Sequence, residues 1–391
     1  MGDYRRNNEY DVIIAGLGPA GANAAYHLGC AGIRTLAIEK KILPRQKTCA
    51  GGIPSKVVDL LDFDFSIAVE QEITKAVVSY RHDKKVEVNR DYNLGYVVNR
   101  SIFDHLLALR AKKAGARILE GESVKKVSEQ EGMIEVNTNR DTYRCRALIG
   151  ADGARGNTAR IPGLAAGQAA FIGLEVYVTY EYNFIRNHIN KLGFYFGYLP
   201  AGYGWIFPRR EDASVGIGIP IKHARQARNL LADFLESLGL PRNLTNKAKG
   251  HALPAYSPFS RKPYSRNILL AGDAASFIDP VTGEGIYYAL LSGKEAAHAI
   301  IESFKTGKYA AFFYSEALKK HIIPELRAAW KVSVPLNTFQ LRSFNFFASN
   351  ELIREMHLDV ILGRRSYMEL LKQVPRSFLG RLISGRKKFG S

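Results

Sequence analysis

Short apolar runs and helical patterns alternate along the first 151 residues of the chain and again between 267 and 301. Short continuous apolar runs, typical of buried strands, lie at 10–15, 34–38, 145–151 and 267–271. Helical patterns follow at 19–31, 101–114 and, after a glycine-rich segment, up to 301. Strands and helices that alternate in this way predict an α/β unit.

A different pattern occupies the middle of the chain. From 166 to 220, apolar residues recur at every second position, as at Leu174, Val176 and Val178, and glycines and polar turns interrupt them. This period of two predicts antiparallel strands, and 74–98 adds shorter strands of the same kind. Beyond about 305 the pattern becomes amphipathic and helical, with breaks at prolines.

The charge of the chain favours acidic partners. Among 391 residues, 55 Lys and Arg stand against 37 Asp and Glu, a formal charge of +18. Anionic lipid, phosphorylated substrates or an acidic protein would all suit this charge. Nucleic acid is not expected, because the basic residues are scattered apart from a pair at Lys387 and Lys388, and no nucleic-acid-binding motif is present.

The cysteine count and the hydropathy predict a cytoplasmic protein. Cys30, Cys49 and Cys145 are too few and too far apart for a disulfide framework or a metal site. Residues 1–9 are polar and lack the apolar core of a secretory signal. No uninterrupted apolar stretch reaches the roughly 18 residues of a membrane-spanning helix. Any membrane contact is expected to be peripheral, at the inner face.

A dinucleotide-binding fingerprint follows the first strand. Gly16 permits a tight turn, Gly18 lets backbone approach a pyrophosphate, and Gly21 allows the helix to pack closely. The helix N-terminus, which includes Ala20, supplies N–H donors and the positive end of a dipole. Glu39, 23 residues after Gly16, can accept hydrogen bonds from ribose hydroxyls.

Asp152 and Gly153 follow one apolar run, Gly272 and Asp273 follow another, and Pro280, Gly283 and Gly285 then precede a long helical stretch. These motifs resemble FAD enzymes built on the para-hydroxybenzoate hydroxylase and glutathione reductase plan. That resemblance implies FAD, with a ribityl hydroxyl held by the Asp of the GD pair and with the flavin ring facing the start of the last helix of the unit. A dipole there can stabilise negative charge on the reduced flavin. The residues that it marks for the cofactor are Arg100, Asp152, Gly153, Gly272, Asp273, Pro280, Gly283, Gly285 and Ile286, and Arg45 could hold a phosphate.

These motifs lie far apart, which predicts a Rossmann-type FAD-binding domain assembled from discontinuous segments. We predict that 1–73, 99–165 and 262–304 form it. An antiparallel-sheet substrate domain would take 74–98 and 166–261, and a helical C-terminal region would take 305–391.

A loop at 49–52 and a strand at 203–208 that is followed by two glycines resemble motifs of the geranylgeranyl reductase family, whose flavoenzymes saturate double bonds in polyprenyl chains. Cys49, Gly51 and Gly52 match its CxGG loop. A YxWxFP motif follows at Tyr203, Trp205 and Phe207, with GxG at 216–218. The three aromatic residues alternate, so they share one face of a strand and could form a wall for an apolar chain. The glycines of GxG would leave room for a ligand beside that strand.

The family resemblance implies that reduced FAD delivers hydride equivalents to one carbon of a prenyl double bond while a proton reaches the other. The Cys49 thiol could donate that proton or be a polarizable contact. No second dinucleotide fingerprint occurs, so the reductant would be external NADPH or reduced ferredoxin. Possible substrates are isoprenoid lipids, geranylgeranyl diphosphate, the tail of a chlorophyll, or a menaquinone side chain.

Two rival functions share the same scaffold. One is a flavin-dependent aromatic monooxygenase or halogenase, although halogenases carry WxWxIP where this chain has YxWxFP. The other is a non-redox prenyl carrier, which would not need Asp273 and the glycines after it. Near the end of the chain, Phe344, Phe346 and Phe347 could border a tunnel mouth at a membrane or form the core of the helical region.

Overall fold

The computed structural model describes residues 8–373 except 82, 131, 165–169 and 260–261. Lys387, Lys388 and the last part of the predicted helical region lie outside the described residues. The strands, in chain order, are β1 (Glu9–Ala15), β2 (Thr35–Glu39), β3 (Gly52–Pro54), β4 (Val69–Ile73), β5 (Lys75–Tyr80), β6 (Lys84–Asn89), β7 (Gly95–Val98), β8 (Arg117–Glu120), β9 (Val124–Gln130), β10 (Met133–Thr138), β11 (Thr142–Gly150), β12 (Phe171–Thr179), β13 (Lys191–Phe196), β14 (Tyr203–Pro208), β15 (Asp212–Pro220), β16 (Lys249–Leu253), β17 (Tyr264–Ser265) and β18 (Ile268–Leu270). The helices are α1 (Pro19–Cys30), α2 (Arg100–Lys113), α3 (Asn183–Arg186), α4 (Ala227–Ser237), α5 (Ile286–Thr306), α6 (Ala310–His321), α7 (Ile323–Thr338), α8 (Gln340–Ser349), α9 (Glu351–Ile361) and α10 (Tyr367–Gln373).

The α/β fold predicted from the sequence is confirmed. Strands β18, β11, β1, β2 and β8 lie in this order as parallel neighbours in an eight-stranded sheet. Burial on both faces explains why these strands are continuous apolar runs: Val12, Ile13 and Ile14 are fully buried. Helix α1 packs against α5, and the Asn23 side-chain amide donates to the Leu290 carbonyl at 2.8 Å. The carboxyl ends of β1, β2, β11 and β18 therefore meet at one edge.

A second sheet of seven strands has the order β16, β12, β15, β14, β13, β5, β6. Its strands are antiparallel, as the period of two predicts, except for the parallel pair β13 and β5. The predicted position of 74–98 is only partly right, because β7 leaves this sheet and pairs with β3 and β4. The chain turns back after β6, where Leu94 N–H donates to Ile73 O at 2.7 Å and Val97 is buried. The predicted domain boundaries stay a prediction.

Helices α6 to α10 form the described part of the C-terminal region. Phe344 is buried against Tyr80, with ring centroids 5.9 Å apart, and Phe346 and Phe347 pack on a cluster around Ile353. All three phenylalanines thus contribute to the packing of this region. Among the described residues, no helix is both long and apolar enough to cross a membrane.

Candidate functional site

One cavity of about 740 Å³ runs between the two large sheets. Glycine-rich turns and charged side chains at the edge of the parallel sheet line one half. Aromatic and aliphatic residues of the seven-stranded sheet line the other half, together with Leu336 of α7 and with Leu358 and Ile361 of α9. Every residue that the sequence marked for a site lines this cavity except Gly21.

The turn after β1 has the shape that a pyrophosphate needs. Gly16 has φ +91°, and a side chain there would strike the backbone of Ala151 and Asp152. Beside Gly18 the space is open apart from the Arg45 guanidinium, 3.5 Å from where a Cβ would stand. Gly21 lies behind the turn, and its missing side chain lets α1 pack directly on the Gly16 carbonyl. The free N–H groups of α1 therefore face an open cradle.

Acidic residues position the basic ones around this cradle. Glu39 is buried at the end of β2, where its carboxylate accepts the Leu17 N–H at 2.9 Å. Arg45 lies 3.5 Å from Glu39 and 3.1 Å from Asp104. Arg100 also binds the fully buried Asp104, at 2.9 Å, so one carboxylate holds two guanidinium groups beside the cavity. Burial alone would lower the pKa of Arg100, but the charge and hydrogen bond of Asp104, together with contributions from Cys49, raise the pKa. Asp104 is a positioning residue that the sequence reasoning missed.

Asp152 organises its own loop. Its carboxylate accepts hydrogen bonds from the backbone N–H of Thr158, at 3.0 Å, and from the Thr158 hydroxyl. Burial raises the pKa of Asp152 despite these donors. Gly153 follows with φ +82° and open space around its Cα. The predicted DG pair therefore forms a turn at the cavity wall.

Asp273 belongs to a polar group that joins three segments. His251 Nε2 lies 3.6 Å from the Asp273 carboxylate and 2.6 Å from Lys47 Nζ. Burial alone would raise the pKa of Asp273, but the neighbouring His251 and the charges of Lys47 and Arg100 together lower the pKa. The carboxylate thus stays ionised and can accept a hydroxyl. The sequence pattern contained no signal for His251.

The start of α5 faces the same cavity. Pro280, Gly283, Gly285 and Ile286 all line it, and no side chain caps the helix N-terminus. Gly283 has φ +72°, and a Cβ there would lie 2.8 Å from the Tyr203 hydroxyl. That hydroxyl donates to the Thr282 carbonyl at 2.5 Å, so the aromatic strand is tied to the helix start.

Tyr203, Trp205 and Phe207 lie on one face of β14 and line the cavity, as the alternation predicts. Phe194 and Phe196 of the adjacent strand extend this wall, with the Phe194 and Phe207 rings 5.5 Å apart. The expectation for the GxG glycines needs a correction. The Trp205 ring fills the space beside Gly216, and of the pair only Gly218 lines the cavity.

A buried carboxylate links the Cys49 loop to this wall. Glu175 accepts the Cys49 backbone N–H at 3.0 Å and the Ser214 hydroxyl at 2.8 Å, and Ser214 in turn accepts the Trp205 indole N–H at 3.0 Å. Burial raises the pKa of Glu175. The sequence reasoning missed Glu175, although a single acid between Leu174 and Val176 in an apolar run was a signal.

The glycines of the loop allow close packing. Gly51 has φ +82°, and a Cβ would strike the Val98 carbonyl. At Gly52 a Cβ would lie 2.6 Å from the Phe207 ring. The Cys49 thiol is partly exposed and accepts the Gly51 N–H at 3.4 Å. The loop is therefore fitted against the aromatic wall, with the thiol at the cavity.

These residues fit FAD. The cradle at Gly16 and Gly18 is open, carboxylates stand at Glu39 and Asp273, and the guanidinium group of Arg45 lies beside the cradle. The second half of the cavity is apolar, as a flavin ring and a hydrocarbon substrate require. Within the described ranges, no group of three His, Cys, Asp or Glu residues could hold a metal ion.

Comparisons with known proteins identify the family of the chain. The family described as FAD binding domain matches residues 9–308. The digeranylgeranylglycerophospholipid reductase of Methanocaldococcus jannaschii is 34% identical over 322 residues, 75% of this chain and 78% of that protein. The geranylgeranyl diphosphate reductase of Rhodobacter capsulatus is 29% identical over 80% of this chain and 81% of its own. A geranylgeranyl bacteriochlorophyll reductase-like structure from Thermoplasma acidophilum has a TM-score of 0.76 at 22% identity, over 96% of this chain and 99% of its own, and so shares the fold.

Proposed function

We propose that this chain, which belongs to the geranylgeranyl reductase family of FAD-binding flavoproteins, saturates C=C double bonds in the polyprenyl chain of an isoprenoid lipid or a prenyl diphosphate. The proposal rests on one cavity, in which the cradle at Gly16 and Gly18 continues into an apolar half. We call this half, which Tyr203, Trp205 and Phe207 line, the aromatic chamber. Relatives named for digeranylgeranylglycerophospholipid and for geranylgeranyl diphosphate support the substrate class.

Each half of the cavity has its own task in this proposal. FAD, when bound, supplies the two-electron redox chemistry. Gly16, Gly18, Glu39 and Asp273 would hold it, and the open N-terminus of α5 would face the ring. The residues of the protein position the substrate and exclude water from the reacting atoms.

The aromatic chamber would bind the prenyl chain. Tyr203, Trp205 and Phe207 present one apolar surface, and the tie from Tyr203 to Thr282 keeps that surface next to the start of α5. The Cys49 thiol lies at the same place and would contact the substrate or the flavin. The Glu175 carboxylate fixes the position of the Cys49 loop relative to Trp205 through hydrogen bonds.

The electrons and the lipid would come from outside the protein. We propose external NADPH or reduced ferredoxin as the donor. An acidic ferredoxin would be attracted by the +18 charge, as would an anionic membrane face that carries a lipid substrate. Anaerobic mixing of the oxidised protein with each donor distinguishes them, because only a competent donor bleaches the flavin absorbance at a useful rate.

The proposed function is tested with reduced protein and two substrates. The flavin is reduced anaerobically and incubated with geranylgeranyl diphosphate or with an unsaturated isoprenoid glycerophospholipid, and products are read by mass spectrometry. Added hydrogen in either substrate supports the reductase. Flavin that stays reduced with both contradicts this substrate class.

A pair of variants locates the reaction in the chamber. Phe207→Leu removes part of the wall, and we expect a lower kcat/KM for either substrate. Phe184→Leu is the matched control, because Phe184 packs against Tyr195 in the hydrophobic cluster between the seven-stranded sheet and α4 and does not line the cavity. Equal losses in both variants would count against binding at the aromatic wall.

A further inference from the structure

A buried group of ionizable side chains lies behind the substrate half of the cavity. Lys56, in the turn after β3, has its Nζ 3.2 Å from the Glu284 carboxylate, just before α5. Both side chains are about nine-tenths buried, with exposed fractions of 12% and 9%. The buried Asp279 and the partly buried Glu325 of α7 act electrostatically on the same lysine. Nothing in the FAD cradle or the aromatic wall accounts for this group.

The charges of the group do not balance. Three carboxylates, at Asp279, Glu284 and Glu325, surround the single ammonium of Lys56 among the residues that the structure describes. His357 is partly buried nearby, and desolvation lowers its pKa, so it stays neutral at neutral pH. Two exposed carboxylates act on the edge of the cluster, Glu369 on Glu325 and Asp59 on Tyr287. The other ionizable groups that face it are tyrosines, whose burial keeps them protonated: Tyr203, Tyr287, Tyr288 and Tyr367. Close carboxylates in excess favour the uptake of a proton by one of them.

The three carboxylates differ in the hydrogen bonds that they accept. Asp279 accepts from the backbone N–H groups of Val281 and Thr282, at 2.7 and 3.3 Å, and from the Tyr367 hydroxyl at 2.9 Å. Glu325 accepts the Tyr367 backbone N–H at 2.8 Å. Both carboxylates thus have hydrogen-bond donors, although burial raises the pKa of Glu325 despite the Tyr367 N–H.

Glu284 differs from them. Its Oε2 forms an ion pair with Lys56 Nζ at 3.2 Å, but its Oε1 is buried and has no hydrogen-bond partner among the described residues. A buried oxygen without a donor favours the protonated acid. Burial, with a contribution from the Asp279 charge, raises the pKa of Glu284 although Lys56 acts against it.

The acid is also in the right place to act. Glu284 lines the cavity, between the α5 start and the strand of Tyr203, whose hydroxyl binds the carbonyl of the nearby Thr282 at 2.5 Å. Glu284 therefore lies at the wall of the chamber in which the prenyl chain is proposed to lie, with its Oε1 buried in that wall. The proposed reduction needs a proton, and the Cys49 thiol is not its only candidate source.

We propose that Glu284 is the general acid that protonates one carbon of the prenyl double bond, a role that rests on the proposed function. The O–H bond of the acid breaks and a C–H bond forms at that carbon. The adjacent carbon receives the other hydrogen and two electrons from the reduced flavin, so the π bond is replaced by two C–H bonds. Glu284 is left as a carboxylate, which the Lys56 ammonium stabilises until a solvent proton restores the acid. Lys56 is thus a positioning residue.

The first experiment observes the acid without turnover. Infrared difference spectra between the FAD-bound wild type and Glu284→Gln should show the carbonyl stretch of one protonated carboxylic acid near neutral pH. The band should disappear as pH rises through the raised folded value. In Lys56→Met it should persist to higher pH, because the cation that opposes protonation is gone. A spectrum without this band at neutral pH overturns the proposal.

The second experiment measures a single anaerobic turnover with either prenyl substrate. Glu284→Gln should reduce the rate about 10²-fold or more, the range for loss of a general acid, while FAD content and substrate affinity stay near wild type. Glu284→Asp should recover part of the rate. Glu302→Gln, an exposed acid on the same helix that pairs with Lys305, is the control and should react normally.

The outcomes separate this proposal from the function on which it rests. A wild type that saturates a prenyl substrate, with a Glu284→Gln variant that matches its rate and pH profile, overturns only the role of Glu284. A wild type that saturates neither substrate overturns both. Weakened substrate binding in Glu284→Gln with an unchanged single-turnover rate would make Glu284 a binding residue and also refute the proton transfer.

Discussion

Trp205 and Gly216 provide the sharpest test of the aromatic wall. The two residues are direct cross-strand partners on β14 and β15. A Cβ at Gly216 would overlap the six-membered ring of Trp205 and lie 2.6 Å from the Leu174 carbonyl. Neither the backbone nor the ring has space to accept it. Gly216→Ala must therefore displace Trp205 from its place at the cavity and break the 3.0 Å hydrogen bond from its indole to Ser214.

Three contributions determine how much Gly216→Ala changes the free energy of unfolding. Overpacking costs about 1–3 kcal/mol, and the lost hydrogen bond costs about 1 kcal/mol. Replacement of a strand glycine by alanine returns about 0.5–1 kcal/mol. We expect a net loss of about 1–3.5 kcal/mol in the free energy of unfolding. Gly218→Ala is the matched control on the same strand, because its Cβ would lie 3.8 Å from the Trp205 ring, an ordinary contact. It should be neutral or slightly stabilising.

Urea unfolding measures the stability, and tryptophan emission reports the position of the ring. The chain has two tryptophans, so the measurement is made with Trp330 replaced by Phe. Gly216→Ala should shift the Trp205 emission and lower kcat/KM for a prenyl substrate, whereas Gly218→Ala should leave the emission unchanged. Equal stability and equal emission in the two variants would refute the packing argument.

Three further predictions concern the cofactor and the Cys49 loop. Glu39→Gln and Asp273→Asn should each weaken FAD binding about 10-fold or more, since a hydrogen bond to a charged group contributes about 1.5–3 kcal/mol; a titration with free FAD that gives wild-type affinity would contradict the assigned contacts. Folding lowers the pKa of Asp273, so its contribution to stability is present above the unfolded pKa of about 3.9 and is lost as pH falls through the lower folded pKa. The melting temperature of Asp273→Asn should therefore fall less steeply with decreasing pH than that of the wild type. Glu175→Ala should free the Cys49 loop and speed the reaction of Cys49 with a thiol reagent when exposed Cys30 is replaced by Ser, and an unchanged rate would show that the loop is held by other contacts.

Local patterns predicted the nucleotide half of the site well. The run of β1, the glycines at 16, 18 and 21 and the acid at Glu39 lie within 31 residues of chain, and the geometry of a strand, turn and helix largely defines their positions. Alternation likewise predicted that Tyr203, Trp205 and Phe207 share a face. In these cases the relevant neighbours are close in sequence, so periodicity and turn chemistry suffice.

Contacts between distant segments could not be predicted in this way. The sequence by itself determined that an α/β fold, glycine-rich turns and an aromatic strand must exist, because each depends on local backbone geometry and on which faces are apolar. Only the tertiary structure decided that Trp205 fills the space at Gly216, that Glu175 holds the Cys49 loop 126 residues away, and that Lys56 lies against Glu284. Such pairings depend on how sheets and helices stack, and burial then sets which carboxylates stay ionised, since desolvation acts only once the chain is folded.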